Sequence, residues 1–220
     1  DTTEEGNASP YDIWGGYYRA VATVNEALQA VEAMGNPASL QGDVAEAKLI
    51  RAYSMFMLAQ TFCMAWNPDK ADEYLGLPYP LIPEQDLTAQ YERGTLRQLY
   101  ENINKDIEEA LPHIADAAQK YTQPKYHFNV KAAYAFASRF NLYYMNYQKA
   151  IEYANMVLGS DPTAVMRNYD PYRELGRDDF ANLWIRSNDQ ANIMLLATYS
   201  IAPRYLTWAT SSRVAHHYDI

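Results

Sequence analysis

Apolar residues recur at every third or fourth position early in the chain: Ile13, Tyr17, Val21, Val24, Leu28 and Val31 fall on one face. That period predicts an amphipathic helix from about Tyr11 to Met34, stopped by Gly35-Asn36-Pro37. A second helix is expected over about Asp43 to Ala65, where Leu49, Ile50, Tyr53, Met55, Phe56, Met57, Leu58 and Phe62 point all ways round. An all-round apolar helix must be covered on several sides. Residues 67–94 carry Pro68, Gly76, Pro78, Pro80 and Pro83 and read as a long loop. A loop of that length inside a compact domain is usually functional. Thr95 is a good N-cap for a third helix with Leu96, Leu99, Tyr100, Ile103, Ile107, Ala110 and Leu111 on one face. Asn129 caps a fourth, Val130 to Met145, and Tyr147 to Leu158 makes a fifth. Beyond Pro162 the pattern breaks. Tyr169 to Arg177 is turn-rich, Ile193 to Tyr199 favours a short strand, and Ala202 to Ile220 has no period.

The stretch from Ala132 to Pro162 has the spacing of a tetratricopeptide (TPR) hairpin, a repeat of about 34 residues. Tyr134 takes the leading aromatic position, Ala150 and Ala154 the small positions of the second helix, and Pro162 the closing proline. Small residues let helices approach closely, and proline ends the unit. Ser138, Asn141 and Met145 depart from the usual Gly, Tyr and turn Gly. The fold class expected is mainly all-α: a TPR-like array of helical hairpins with irregular loops and a short C-terminal strand or irregular segment. The expected packing order is first helix on second, third with fourth, and fourth with fifth. Residues 1–162 form the TPR-like domain in this reading, and 163–220 an irregular segment.

Composition narrows the function classes. A chain of 220 residues is long enough to bury roughly 70% of its unfolded surface. It holds 20 Tyr and 4 Trp against 6 Phe, residues that suit half-buried helix interfaces and stacking on ligands alike. A net charge of −9 with no run of basic residues argues against nucleic acid or an anionic membrane as partner. The single Cys63, in an apolar run, excludes an internal disulfide and reads as a small buried hydrophobe. No stretch is apolar for long enough to span a bilayer, about 18 residues. The acidic, polar opening Asp1 to Pro10 is no signal sequence, which is also how a processed product begins.

Five blocks, in order, resemble the SusD/RagB family of Bacteroidetes outer-membrane nutrient-binding lipoproteins. Trp14-Gly15-Gly16-Tyr17-Tyr18 with Asn25-Glu26-Ala27-Leu28 is similar to its opening helix. Ala45-Glu46-Ala47-Lys48-Leu49-Ile50-Arg51-Ala52-Tyr53 resembles its second-helix motif, and Gly76-Leu77-Pro78-Tyr79 the G-x-P that follows. Arg93-Gly94-Thr95 with Tyr100, Ile103, Asp106 and Ala110-Leu111 resembles its third helix, with Ile107 where Leu is usual. Lys131-Ala132-Ala133 through Ala154 is similar to its next helical pair, whereas the match fades over the last stretch of the chain. Members of that family are much longer, so the resemblance implies a piece without the lipidated N-terminus and most of the C-terminal half. It further implies a non-enzymatic, lipid-anchored protein of the outer-membrane surface that captures glycan, or sometimes peptide. Cargo then passes to a partner TonB-dependent, SusC-like transporter. The TPR part serves as scaffold and transporter contact, and residues 163–220 begin the ligand-binding portion.

Holding a glycan without catalysis needs aromatic faces for sugar C–H surfaces and polar groups for hydroxyls. The long loop offers Trp66, Asn67, Asp69, Asp72, Tyr74 and Tyr79, and the tail offers Tyr205, Trp208 and Arg213. Trp14 and Tyr18 on the opening helix are further candidates. Trp66, Asn67, Tyr74, Tyr205 and Trp208 are the ligand-binding set expected. Arg51 on the crowded second helix needs an anionic partner, with Glu26 or Asp106 the candidates. Asp106, Glu108 and Glu109 otherwise read as a solvated carboxylate face. His216-His217 lack the spaced partners of a metal site, and no G-x-S-x-G, phosphate-binding or dinucleotide sequence occurs. No catalytic residue, metal or cofactor is therefore expected. The competing readings are a TPR-type adaptor for peptides, which needs several repeats, and an all-α glycoside hydrolase. The latter needs two carboxylates about 5–10 Å apart in one cleft.

Overall fold

Ser9 opens the first helix: its hydroxyl accepts the backbone N–H of Asp12 at 3.1 Å, and Pro10 sits where no N–H is needed. The computed structural model describes residues 9–195, apart from 87, 89 and 119. Helix α1 spans Pro10–Ala33 and gives way to a turn in which Gly35 and Asn36 take positive φ angles of 81° and 53°. A short 3-10 turn, Ala38–Leu40, leads into α2, Gln41–Phe62.

Helix α2 is the centre of the array, with Ala45, Leu49, Ala52, Met55, Phe56, Leu58 and Ala59 all buried. It packs chiefly against α1, α3 (Leu96–Ala110) and the short α4 (Ile114–Ala118). Gly42 permits the last contact, because a Cβ there would stand 2.4 Å from the Ala117 nitrogen. This is the many-sided cover that its apolar pattern requires. The helix ends at Phe62, earlier than expected, because Cys63 turns extended and allows Trp66 to fold back into the core. Cys63 itself is half-buried, not fully enclosed, and that burial pushes its thiol up.

The proline-rich connection is ordered by the start of α3. The Leu96 and Arg97 N–H groups donate to Tyr74 and Ala71 carbonyls at 2.8 and 3.0 Å, and Gly76 N–H donates to Gly94 O at 2.9 Å. Thr95 and Gln98 form a reciprocal capping box at 3.2 and 3.0 Å. A Cβ on Gly76 would stand 2.4 Å from the Thr95 carbonyl oxygen. Gly76→Ala must therefore displace the loop from the helix, and a loss of about 1–3 kcal/mol is expected in urea unfolding. An unchanged unfolding midpoint would contradict this tight approach.

Helices α5 (Val130–Tyr143) and α6 (Tyr147–Leu158) close as the predicted hairpin. Asn129 caps α5 by accepting from Ala132 N–H at 3.0 Å, and Met145 adopts φ 61° in the turn where glycine is common. Ser138 donates to the Ala150 carbonyl at 2.8 Å, and the Tyr134 and Tyr153 rings meet at 5.7 Å. An aromatic seam joins this hairpin to the rest: Phe140 lies 5.8 Å from Phe56 and 5.7 Å from Tyr100.

Several expectations are corrected. The third helix packs chiefly on α2 and meets α5 through its Tyr100 ring, so it forms no separate pair with the fourth. Asp106 is buried on α3, not solvated. A further helix, α7, covers Arg177–Trp184 and carries the stacked rings of Phe180 and Trp184, one turn apart and 5.5 Å between centres. Residues 193–195 are irregular, and the remainder of the expected strand lies outside the described residues, as do His216 and His217. Among the described residues there are no named strands, only an isolated bridge between Leu75 and Thr95. No helix among them is long and apolar enough to cross a membrane.

Candidate functional site

A buried polar network holds the proline-rich loop against the helices. Arg51 of α2 grips Asp106 of α3 with two hydrogen bonds, Nε to Oδ2 at 2.7 Å and Nη2 to Oδ1 at 2.8 Å. Its remaining arm, Nη1, donates to Asn25 Oδ1 of α1 at 2.8 Å. Asn25 Nδ2 then donates to the Pro80 carbonyl at 2.9 Å, and Tyr79 Oη donates to Asp106 Oδ2 at 2.6 Å. Tyr18 adds a bond from its hydroxyl to the Pro78 carbonyl at 2.9 Å. Burial works to lower the Arg51 guanidinium, but the bonds and charge of Asp106 outweigh it and hold the group above its ordinary value. Burial, reinforced by the Asp106 charge, holds the Tyr79 phenol well above its usual range. Arg51 and Asp106 form an ion pair at 2.7 Å, and three helices and one loop are fixed at a single point.

The pinned prolines form the floor of a pocket of about 300 Å³ between α1 and the loop. Trp14, Tyr18, Ala22 and Asn25 line its helical side, and Pro78, Pro80, Ile82, Glu84 and Tyr91 its loop side. Trp14 is braced by Tyr18 at 4.8 Å and, edge-on, by Phe62 at 5.2 Å, yet remains 40% exposed. Tyr91 is 50% exposed. Partial desolvation and then the Glu84 carboxylate raise its hydroxyl above the ordinary value. Burial likewise pushes the Tyr18 hydroxyl up, so it remains a donor to Pro78 at neutral pH. Fixed aromatic walls with a few convergent polar groups make a ligand pocket of modest size.

The order of helices, the hairpin and the network can now be set beside known proteins. A SusD-like family model, described as "Starch-binding associating with outer membrane", matches residues 1–142. The chain belongs to the SusD-like family. It is similar to a SusD superfamily protein from Bacteroides thetaiotaomicron, at TM-score 0.61 and 25% identity over 79% of this chain and 41% of that one. It also shares its fold with a putative sugar binding protein from Bacteroides vulgatus, at TM-score 0.65 and 18% identity over 88% and 42% of the two chains. A SusD-like carbohydrate binding protein from the same organism aligns at TM-score 0.59 and 21% identity, covering 73% of this chain and 33% of its own. The chain thus spans less than half the length of these relatives. No curated protein matches it.

The residues of the SusD-like resemblance prove to be those of the network: Asn25, Arg51, Tyr79 and Asp106 come from four of the blocks. The ligand-binding candidates fare differently. Trp66 is 8% exposed, enclosed by Tyr100 at 4.9 Å and Tyr144 at 4.7 Å, with the Arg97 guanidinium 5.6 Å from its ring centre. It is a core residue and offers no free face, which corrects the expectation of a platform there. Asn67 closes a turn by accepting Asp69 N–H at 3.0 Å, and Tyr74 packs half-buried against the core. Asp72 pairs with Arg97 at 2.8 Å. Tyr205, Trp208 and Arg213 lie outside the described residues. The structure therefore brings together Trp14 and Tyr18, and adds Tyr91, Ile82 and Glu84, which periodicity could not single out. One signal was present: an aromatic residue and an acid on a long loop held by prolines.

A second constellation in this SusD-like chain gathers where the irregular segment begins. Arg167 donates to Asp189 Oδ2 at 2.8 Å and to Asn192 Oδ1 at 2.5 Å, and lies 3.9 Å from the centre of the Trp184 ring. Its bonds are satisfied within the segment, which makes it a local structural centre.

Proposed function

We propose that this chain is part of a non-enzymatic nutrient-binding protein that captures glycans at the cell surface for uptake through a partner TonB-dependent, SusC-like transporter. In this reading the full protein is a lipid-anchored outer-membrane protein. The α1–α6 array is its scaffold and transporter contact, and residues 163–220 begin a further ligand-binding portion. The observation that carries the glycan reading is the pocket of Trp14, Tyr18 and Tyr91 over a proline floor held by Arg51 and Asp106. Braced indole and phenol rings suit the C–H faces of a sugar, and the Glu84 carboxylate accepts from hydroxyls. Family membership and the names of the solved relatives, which include carbohydrate and sugar binding proteins, support the same reading.

Trp14→Ala tests it. Trp14 is partly exposed on α1, so the fold should persist, and glycan affinity measured by calorimetry should fall about tenfold or more. Incubation with the bound glycan should release no reducing sugar. Unchanged affinity in the variant would discard the pocket, and steady release of reducing ends would replace capture with hydrolysis.

A further inference from the structure

We infer that the pocket selects by charge: it takes a sugar ring that presents a hydrogen-bond donor and carries no acid group, and Glu84 sets that preference. This rests on the glycan reading above. Of the side chains that line the pocket, Glu84 is the one that bears a carboxyl group; the others are aromatic, prolyl, alkyl or amide. The polar groups on the helical side are already committed. Tyr18 donates to Pro78, and both ends of the Asn25 amide are bonded, to Pro80 and to Arg51. What remains for a ligand is the Glu84 carboxylate, which accepts from the Tyr91 hydroxyl and keeps further lone pairs free.

An ionised carboxylate only accepts, so it favours hydroxyl or amine donors and opposes a uronate or sulfate placed next to it. Asp86 adds negative charge near Tyr91, as its effect on that hydroxyl shows. The faces of Trp14 and Tyr91 act in the same sense, since the negative face of an aromatic ring attracts cations and repels anions. Arg93 does influence Tyr18, but it is absent from the lining, and its Nε donates to the Gly76 carbonyl at 2.8 Å. No lining cation is left to offset an acidic ligand. The volume, at the lower end of ligand pockets, accommodates a ring and part of its neighbour, so selection acts on a single unit of the glycan.

The test is a glycan array bearing neutral, amine-bearing and uronate or sulfated glycans, probed with the 220-residue chain and with its Glu84→Gln and Trp14→Ala variants. Glu84 is exposed, so the amide replacement keeps the fold and an acceptor while removing the charge. The parent chain should bind neutral and amine-bearing glycans. Glu84→Gln should raise acidic glycans relative to neutral ones by about tenfold. Trp14→Ala should lose both the neutral and the amine-bearing glycans. Equal binding of acidic and neutral glycans by the parent, or an unchanged ratio in Glu84→Gln, overturns the charge selection while the glycan reading stands. Silence of the parent chain across the whole array overturns the glycan reading, and this inference with it.

Discussion

Asp106→Ala is expected to destabilise the chain by about 3–5 kcal/mol, a large share of the stability of an ordinary domain. The reason is what it leaves behind. The Arg51 guanidinium, 5% exposed, loses both bonds to its counter-ion, and Tyr79 loses its acceptor at 2.6 Å. An uncompensated buried charge costs much more than the intact pair contributes, because the pair has already offset its own desolvation. Urea unfolding followed by circular dichroism should show the loss, and the midpoint of thermal unfolding should fall on the order of 10 °C. The double variant Arg51→Met, Asp106→Leu should recover most of it, since no charge is then stranded. A single variant within about 1 kcal/mol of the parent would mean that water reaches Arg51 and that the network is not the anchor described here.

The second large effect is expected at Phe56. This ring is fully buried on α2 and meets Phe136 at 6.0 Å, Phe140 at 5.8 Å and Tyr143 at 5.5 Å, with the Arg139 guanidinium 5.8 Å from its centre. Phe56→Ala removes the ring that ties α2 to the α5–α6 hairpin and should cost about 3–5 kcal/mol. Hydrogen exchange should report where the damage falls. Amides of α5 and α6 should lose more protection than those of α1, because Phe136, Phe140 and Tyr143, the rings that meet Phe56, belong to α5. Uniform loss across all helices would show instead that the array unfolds as one cooperative unit.

These two sites differ in how far the sequence exposed them. The pattern around Phe56 was readable: a helix apolar all round must be enclosed, whatever its neighbours are. That Arg51 needs an acid was also readable, and Asp106 was one of two candidates. Choosing between Glu26 and Asp106 required knowing which turns of α1 and α3 face the middle of α2. The same residue had a second, wrong reading as part of a solvated face, because Asp106 adjoins Glu108 and Glu109 in sequence but not in environment. Trp66 failed for a related reason. It follows the second helix in a loop and looked free, but the early end of α2 at Phe62 returns its ring to Tyr100 and Tyr144. Helix α7 was missed because it is short, with no apolar period long enough to declare it.

The candidate site shows the same division. Trp14 and Tyr18 were visible one turn apart on a helix, and the proline-rich loop was visible as an unusual length of irregular chain. Nothing local indicated that Asn25 and Tyr18 would capture the carbonyls of Pro80 and Pro78 and so place Ile82, Glu84 and Tyr91 opposite Trp14.

By itself the sequence determined the five longer helices, the Thr95 and Asn129 caps and the α5–α6 hairpin, since these follow from periodicity, capping side chains and turn residues acting over a few positions. Tertiary structure alone decided which aromatic rings are core and which remain free, which acid answers Arg51, and where the loop lies. Those outcomes depend on packing and on satisfying buried polar groups between segments far apart in the chain, which no local pattern encodes.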